Sequence, residues 1–578
     1  MFHLVQIFDY GFLAILTLSI LYVTKFTYQR KKIKNLLKQK HKLIEKNRSK
    51  TREKILKKNL PLETANYITS LRGFEITKAI REGELKPSDV LTAFQMKCLE
   101  NEKLNFIAEF IEEAEEIALA LDNEKDKSSP IFGLPISLKE CIQVKGKDQS
   151  NGLIKLCFKP ASSNCLIYEL FKHNKAIPFL TTSMARAGLS HDSSNPIFGD
   201  QVNPKFPNFS AGGSSGGEGI ALSTNSSTIG FATDIGGSVR FPALFNQVCG
   251  LNTTRRRLTK KTINSSGNIP RLSLELTTGP MSRCVEDLAN FFRAFLCEKM
   301  FDEDLTTNPL PFNEKLYCSR DKLKIGFYYE FKDAHMAIPV PAIKRAISET
   351  IENLKSDGHS AKEVTFPSPR YGSTLAMKAL LHDGGKSLAD TLANEPLPWS
   401  IELIRAFLKL PRLVKRTMVQ FLERDIGKVY DPIRTGIPGI SSSIEAAKLI
   451  KEINDYQEEF EIFMKPYDIL ICPLFPFPLP LKHGAESYNN AASCYSIMFN
   501  LLDHPSGTVA TGHVTKEDIE RAKDLVGDFK SKGDIFNSKF HNSQGDLGLP
   551  IGVQIVGRKF EEEKILRVMQ ILEKSFAL

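Results

Sequence analysis

Residues 212–240 read GGSSGGEGIALSTNSSTIGFATDIGGSVR and contain two clusters of glycine and serine, at 212–217 and 236–238. Between the clusters lies a segment of small and apolar residues that includes a strand-like run, 228–233. Because glycine lacks a Cβ atom, a glycine-rich turn lets several backbone N–H groups approach one ligand atom. The pattern therefore predicts two loops that meet at one anion-binding point.

Ser238 is the candidate nucleophile in the second cluster. If a helix begins at Val239, Ser238 lies at its N-terminus, where free N–H groups and the helix dipole favour negative charge. A flexible GGSSGG linker is the alternative interpretation, but an apolar segment and a second Gly-Gly-Ser follow it. The predicted oxyanion hole consists of the N–H groups of Ile235, Gly236, Gly237 and Ser238.

The clusters have no histidine partner, so a Ser-His-Asp triad is not predicted. A lysine can act as the base instead if burial lowers its pKa and leaves it neutral. Lys139 directly follows an apolar run of strand length, 131–138, and is the best-placed candidate.

Several segments of the chain carry a family resemblance. They are GLPISLKEC at 133–141, SNPIFG at 194–199, GGSSGG at 212–217, DIGGSVR at 234–240 and RFPA at 240–243. Together these segments resemble the signature of the amidase signature family and, within it, the fatty acid amide hydrolase group. Weaker similarity covers the chain from about residue 60 to its end. The resemblance implies an amidase signature fold, in which helices surround a central mixed β-sheet.

The resemblance also implies roles for three residues. Ser238 corresponds to the acylated nucleophile, Ser214 to the bridging serine and Lys139 to the base. In the family the peptide bond before the bridging serine is cis, which here is Gly213–Ser214, so Ser214 is preferred over Ser215. The predicted substrate-binding residues are Gly188, Ser214, Ile235, Gly236, Gly237 and Ser238.

Two positions depart from the family pattern. Gly188 stands where the carbonyl of a methionine faces the leaving amine in the family, and a backbone contact can survive that change. Asp148-Gln149-Ser150 replaces the family's Asp-Ser-Thr, so the role of that segment in steadying the site is not carried over.

The chain of 578 residues has no linker or tandem repeat after residue 60, which predicts one catalytic domain over 59–578. Its 42% hydrophobic and 25% charged residues are typical of a folded globular protein. Short apolar runs interleave with helical segments, which predicts an α/β protein. The region 75–121 is predicted to be helical, and the predicted strands are 131–138, 177–180, 323–327 and 469–472.

The net charge of +10 is concentrated near the N-terminus, because residues 25–58 carry 15 Lys and Arg against two acids. This basic segment follows an apolar stretch, 4–24, which is interrupted by Gln6 and Asp9 and is close to the ~20 residues that cross a bilayer. We expect a transmembrane anchor over 1–24 and a basic helical juxtamembrane segment over 25–58. A cleaved signal peptide is the alternative, but the basic charge lies after the apolar run.

The basic residues after the apolar stretch predict a single-pass protein with a cytosolic catalytic domain. The expected location is an intracellular membrane such as the endoplasmic reticulum, and the organelle is left open. The ten cysteines lack CxxC pairs and zinc spacing and should be reduced in the cytosol. The sequence therefore predicts no metal, no cofactor and no nucleic-acid partner.

Residues 398–424 form two helix-like segments that are split at Pro411 and that mix apolar with basic residues. They are predicted to form a hairpin at the membrane interface; an ordinary amphipathic helix pair on the core is the alternative. The resemblance favours the hairpin, since the fatty acid amide hydrolase group has a membrane-binding cap near this point.

The resulting hypothesis is a membrane-bound serine hydrolase that cleaves fatty acid amides, namely N-acylethanolamines and primary fatty amides. Its partners would be the lipid amide substrate and a membrane, and a homodimer is left open. The alternatives are a general amidase, the amidase subunit of tRNA-dependent transamidation, and an inactive membrane scaffold that keeps the fold. Acyl chain length, amine headgroup and amide-versus-ester preference are also left open.

Overall fold

The structure of the protein, a computed structural model, describes residues 2–263, 272–333, 336–426, 431–479, 492–531, 541 and 547–576. The helices are α1 (Phe2–Leu56), α2 (Leu62–Ser70), α3 (Gly73–Glu82), α4 (Pro87–Glu100), α5 (Glu113–Asp122), α6 (Leu166–His173), α7 (Gly216–Ser223), α8 (Arg240–Phe245), α9 (Val285–Phe295), α10 (Glu298–Glu303), α11 (Glu314–Tyr317), α12 (Pro341–Ser356), α13 (Pro369–Leu380), α14 (Lys386–Thr391), α15 (Trp399–Leu408), α16 (Arg412–Ile426), α17 (Asp431–Gly436), α18 (Ser443–Met464), α19 (Cys494–Leu502), α20 (Lys516–Ser531) and α21 (Glu562–Ser575). The strands are β1 (Ile107–Phe110), β2 (Pro135–Lys139), β3 (Ile177–Thr182), β4 (Ser194–Asn195), β5 (Gly199–Asp200), β6 (Ile229–Asp234), β7 (Cys249–Asn252), β8 (Thr277–Ser282), β9 (Lys324–Phe327), β10 (Ser360–Glu363), β11 (Ile469–Cys472), β12 (Ser506–His513) and β13 (Pro550–Gly557).

Eleven of these strands form one sheet in the order β1-β3-β2-β6-β8-β7-β12-β13-β11-β9-β10, and β4 and β5 form a separate two-stranded sheet. The sheet is mixed, since β2 runs parallel to β3 and β6 whereas β12 runs antiparallel to β7 and β13. Helices surround it. The prediction of an α/β protein with a central mixed sheet surrounded by helices is confirmed.

Strand β2 positions the candidate site. It lies between β3 and β6, with Ile136 opposite both Pro178 and Ile229. All residues of these three strands are buried, which explains why each is short and apolar without strict alternation. Because parallel strands end at the same edge of a sheet, Lys139 at the end of β2 emerges beside Thr233 near the end of β6.

The prediction that residues 75–121 are helical throughout is wrong at Ile107–Phe110, which form strand β1. This strand pairs antiparallel with β3, with Phe110 opposite Leu180. The short apolar run gains more from pairing with a buried strand than from continuing the helix that its neighbours favour, so tertiary contacts override local propensity.

The prediction of a transmembrane anchor, and of a single-pass membrane protein, is also wrong. Among the residues that the structure describes, no helix is both long enough and apolar enough to cross a membrane. The apolar stretch contains Gln6 and Asp9, and an aspartate is costly at membrane depth. The same helix, α1, then continues through the basic segment to Leu56.

Part of the basic segment packs on the catalytic domain. Lys40 is only 2% exposed, and its Nζ donates to Glu109 at 2.7 Å and to Asp148 at 2.9 Å. A buried ammonium is tolerated only when it is paired in this way. An apolar cluster accompanies this ion pair, and its buried members are Ile33, Ile44, Ala108, Ile154, Cys157, Ile197 and Phe198.

Candidate active site

Lys139 lies at the buried end of β2 and is 1% exposed. Its Nζ donates to Ser214 Oγ at 2.8 Å, to Thr233 Oγ1 at 3.2 Å and to the Thr233 carbonyl at 3.4 Å. All three acceptors are uncharged, so the lysine has no direct ion-pair partner among the described residues. The sequence predicted this residue because it ends an apolar run.

Burial is the main influence on Lys139, and it lowers the pKa of the amine below its usual range. The nearby acidic groups of Cys141, Asp234 and Glu218 oppose that shift. Glu218 is itself fully buried, accepts hydrogen bonds from Ser137 and Thr182, and has a pKa that burial raises to about 7. The surroundings of Lys139 therefore favour the neutral amine.

The two glycine-rich loops bring Ser214 and Ser238 together, as the sequence predicted. Their Oγ atoms form a hydrogen bond of 3.0 Å, so a continuous chain of polar atoms runs from Lys139 through Ser214 to Ser238. Ser214 is buried and follows a cis peptide bond at Gly213–Ser214, whereas Ser238 is partly exposed and faces a cavity. The helix after Ser238 begins at Arg240 rather than at Val239.

The backbone around Ser238 offers three of the four predicted oxyanion-hole donors. The Gly237 N–H already donates to Asp234 Oδ1 at 2.7 Å, and the carbonyl of Gly236 accepts from Ser496 Oγ at 2.5 Å. Both ends of that peptide group are thus held in place. The N–H groups that have no acceptor within the described part of the chain are those of Ile235, Gly236 and Ser238.

Gly237 has a φ of +120°, a backbone conformation that residues with a side chain rarely adopt. A Cβ atom at this position would lie 2.3 Å from the Phe241 ring. The loop therefore requires glycine at this position. A residue with a side chain would displace either Phe241 or the backbone beside Ser238.

A buried ion pair supports the same loop. Asp234 accepts from Arg240 Nη2 at 2.9 Å, from the Val239 N–H at 3.0 Å and from Asn500 Nδ2 at 3.0 Å. Burial would raise the pKa of Asp234, but Arg240 and the backbone donors outweigh it and lower the pKa to about 2. Asp234 is therefore a charged structural acceptor that fixes the loop.

A cavity of about 240 Å³ opens beside Ser238. One wall comes from the loops near the two serines, and its residues are Gly188, Leu189, Ser190, His191, Gly213, Ile235, Gly236 and Ser238. The other wall is mostly apolar and includes Met377, Leu380, Leu381, Leu388, Ile404, Leu408, Ile437 and Ile497. Residues from segments 375–381 and 403–410 both contribute to this wall.

Sequence reasoning missed several of these residues. His191, Leu388, Ile437 and Ile497 come from loops and helices far apart in the chain, and no motif marks them. Only the proximity of His191 to the Ser-Asn-Pro segment was a signal in the sequence. Gly188 was predicted, and it ends a 3₁₀ turn with a φ of +66° at the cavity wall.

The family model described as Amidase matches residues 89–566. The chain belongs to the amidase family. Fatty-acid amide hydrolase 1 of Sus scrofa is 32% identical over 515 residues, which cover 87% of this chain and 85% of the pig protein. Fatty acid amide hydrolase 1 of Caenorhabditis elegans is 29% identical over 527 residues, covering 89% and 90% of the two chains.

A solved structure has a similar fold. The structure of a fatty acid amide hydrolase superposes with a TM-score of 0.73 at 24% sequence identity and covers 96% of this chain and 95% of that chain. The family assignment and the relatives that match over most of the chain identify this amidase as an amide-hydrolysing enzyme.

Proposed function

We propose that this amidase is a serine hydrolase that cleaves fatty acid amides, including N-acylethanolamines and primary fatty amides, to a fatty acid and an amine. One observation carries the proposal: the Lys139–Ser214–Ser238 chain ends at a cavity whose far wall is mostly apolar. A nucleophile beside an apolar cavity suits a substrate with a hydrocarbon chain next to its reactive carbonyl. The similar proteins named fatty acid amide hydrolase support this choice of substrate.

In the proposed mechanism, neutral Lys139 has two N–H groups for the two oxygens of Thr233 and a lone pair for the Ser214 hydroxyl. Lys139 accepts the proton of Ser214 as Ser214 accepts the proton of Ser238. The Ser238 oxygen then attacks the amide carbonyl, and the N–H groups of Ile235, Gly236 and Ser238 stabilise the resulting oxyanion.

The second half of the reaction returns the proton. Ser214 donates a proton to the departing amine and regains one from Lys139, which leaves an acyl-enzyme ester on Ser238. Water, deprotonated through the same chain, then attacks the ester and releases the fatty acid. Lys139 and the two serines end in their starting protonation states.

The acyl chain should determine how well a substrate reacts. We expect kcat/KM to rise about fourfold for each added methylene, since each buried methylene stabilises the complex by about 0.8 kcal/mol. The increase should stop when the chain fills the cavity. A series of N-acylethanolamines with acyl chains of increasing length, assayed below their critical micelle concentrations, measures this dependence.

The same series separates the alternatives. A flat profile from short to long acyl chains would contradict a fatty acyl site and favour a general amidase. Release of ammonia from glutamine in preference to every lipid amide would favour the amidase subunit of transamidation. An inactive scaffold would cleave none of these substrates.

Helices α15 and α16 supply an exposed apolar surface beside the cavity, and we propose that it contacts a membrane surface. Trp399 and Leu413 are each 75% exposed and Leu403 is 51% exposed. Ile404 and Leu408, on the same helix as Leu403, line the cavity. A lipid amide could therefore pass from a bilayer surface to Ser238 without crossing bulk water.

Changing Trp399, Leu403 and Leu413 together to serine should weaken binding to anionic liposomes at least roughly tenfold, because apolar side chains provide most of the affinity at such an interface. Activity should fall on vesicle-borne amides but not on a short soluble amide. Liposome flotation and paired activity assays measure both effects. The matched control changes Leu62, Leu119 and Leu305, which are 64%, 61% and 88% exposed, to serine. Equal liposome binding by the two triple variants would exclude the membrane contact.

The homodimer that the sequence analysis left open stays a prediction.

A further inference from the structure

Lys415 lies in the first turn of α16 and is only 4% exposed, although the mechanism does not use it. The basic residues beside it in the hairpin, Lys409 and Arg412, have side chains that are 42% and 41% exposed. Lys415 Nζ instead donates to the carbonyls of Gly384 at 2.6 Å and of Leu408 at 3.3 Å. These carbonyls are its only acceptors among the described residues, so Lys415 binds backbone rather than a carboxylate.

The two carbonyls belong to different elements of the fold. Leu408 is the last residue of α15, where helix carbonyls have no donor within their own helix and the helix dipole favours positive charge. Gly384 lies in the turn 383–385, between α13 and α14. In the described part of the chain, neither carbonyl accepts a hydrogen bond from any other group. Because a buried carbonyl without a donor is costly, Lys415 stabilises both elements at once.

Both acceptors belong to the wall of the cavity. Leu408 lines the cavity, and so do Asp383 and Gly385 on either side of Gly384. The turn and α15 are in close contact, since a Cβ atom on Gly385 would lie 2.7 Å from Leu408 Cδ2. Asp383 holds the turn in shape by accepting from the Gly385 N–H at 2.8 Å. Lys415 therefore ties together the two parts of the wall that meet at Leu408.

We propose that Lys415 is a positioning residue that fixes this wall and thereby sets how strongly the enzyme prefers long acyl chains. The inference rests on the proposed function and deepens it, because it assigns the chain-length preference in part to a residue that does not line the cavity. The contribution of a buried methylene depends on close packing against the wall. If Gly384 and Leu408 lose their common donor, their carbonyls are left unpaired and the wall relaxes away from the acyl chain.

The test compares N-hexanoylethanolamine with N-lauroylethanolamine as substrates of the full-length enzyme. Lys415→Met fills nearly the same volume but has no donor. It should lower the ratio of kcat/KM for the lauroyl amide over the hexanoyl amide about four- to sixteenfold, the contribution of one or two buried methylenes. The loss should appear as a higher KM for the lauroyl amide rather than as a lower kcat. Lys415→Arg, which restores donors at the end of a long side chain, should recover part of the ratio.

Two further variants test the route by which Lys415 acts. Lys409→Met is the matched control, because Lys409 lies in the same hairpin but is exposed and pairs with Asp390 at 3.2 Å. It should keep the wild-type ratio. Leu408→Ala removes a side chain from the wall itself. In that background Lys415→Met should change the ratio much less than it does in the wild type, because both changes act on the same part of the wall.

The ratio separates the position of the wall from damage to the fold, because a loss of folded enzyme lowers both rates equally. A wild-type ratio in Lys415→Met, an equal fall in Lys409→Met, or fully additive effects with Leu408→Ala would overturn the assignment. If Lys415→Met does not fold, Lys415→Gln, whose donor lies on a shorter side chain, decides, and a wild-type ratio there would overturn the proposal. Equal kcat/KM for both substrates in the wild type would overturn the proposed function, and this inference with it, before any variant is compared.

Discussion

Replacing Ser238 with alanine should abolish amide turnover. The expected loss in kcat is roughly 10⁵- to 10⁶-fold, as for other serine hydrolases that lose the nucleophile. The variant should also fail to react with a fluorophosphonate probe, which labels activated serines covalently. Turnover of a long-chain N-acylethanolamine and probe labelling of the purified protein measure these two effects independently.

Ser215 is a matched control for this experiment. It lies in the same pair of loops as Ser238, and its buried Oγ has no hydrogen-bond partner among the described residues. Ser215→Ala removes the same atom type, and because that hydroxyl is unsatisfied, the change should not destabilise the fold. We expect this variant to keep wild-type turnover and labelling. Near-normal activity in Ser238→Ala, or comparable losses in both variants, would rule out Ser238 as the nucleophile.

Lys139→Met should lower kcat/KM by roughly 10²- to 10⁴-fold, the usual contribution of a general base. Methionine fills nearly the same volume but cannot accept a proton from Ser214. Ser214→Ala should cause a loss of the same order, and the double variant should be little worse than either single variant, because the two residues act as a unit. Steady-state kinetics on the three variants test this expectation.

The pH dependence gives a second measure of the role of Lys139. Only the neutral amine is a base, so kcat/KM should rise with pH as Lys139 loses its proton. Because burial lowers the pKa of Lys139, this rise should occur below the ordinary lysine value of about 10.4. The rise should be absent in Lys139→Met. An unchanged pH profile in that variant would contradict the assignment.

The lowered pKa of Lys139 should also make the free energy of unfolding depend on pH. Between the lowered folded-state pKa and the ordinary lysine value, the unfolded chain binds more protons than the folded one. The free energy of unfolding of the wild type therefore rises with pH across that interval, and Lys139→Met should lack this rise.

Lys147→Met is the matched control for the pH profile of activity. Lys147 is also largely buried but pairs with Glu112 at 2.6 Å, and its variant should keep the wild-type pH profile of activity.

Much of the fold followed from local patterns. Strands β6, β9 and β11 lie where short apolar runs bounded by turn residues predicted them, because burial on both faces requires continuous apolar residues. Two regions were misjudged, for different physical reasons. The N-terminal stretch is interrupted by Gln6 and Asp9, and no described helix is long and apolar enough to cross a membrane. The strand at Ile107–Phe110 depends on pairing with β3, and such long-range pairing is not visible in a local window of sequence.

The sequence by itself determined the chemistry of the candidate site: two glycine-rich loops, two serines and a lysine at the end of an apolar run. Residue type sets which groups can accept protons or approach a ligand closely, and residue type is known from the sequence alone. Only the tertiary structure decided which N–H groups are free, since Gly237 donates to Asp234, and which residues enclose the substrate. His191 illustrates the difference, because packing against Gly213 and Phe241 brings it beside Ser238 from a distant part of the chain. Availability and proximity depend on how distant segments pack, and that information appears only when the chain is folded.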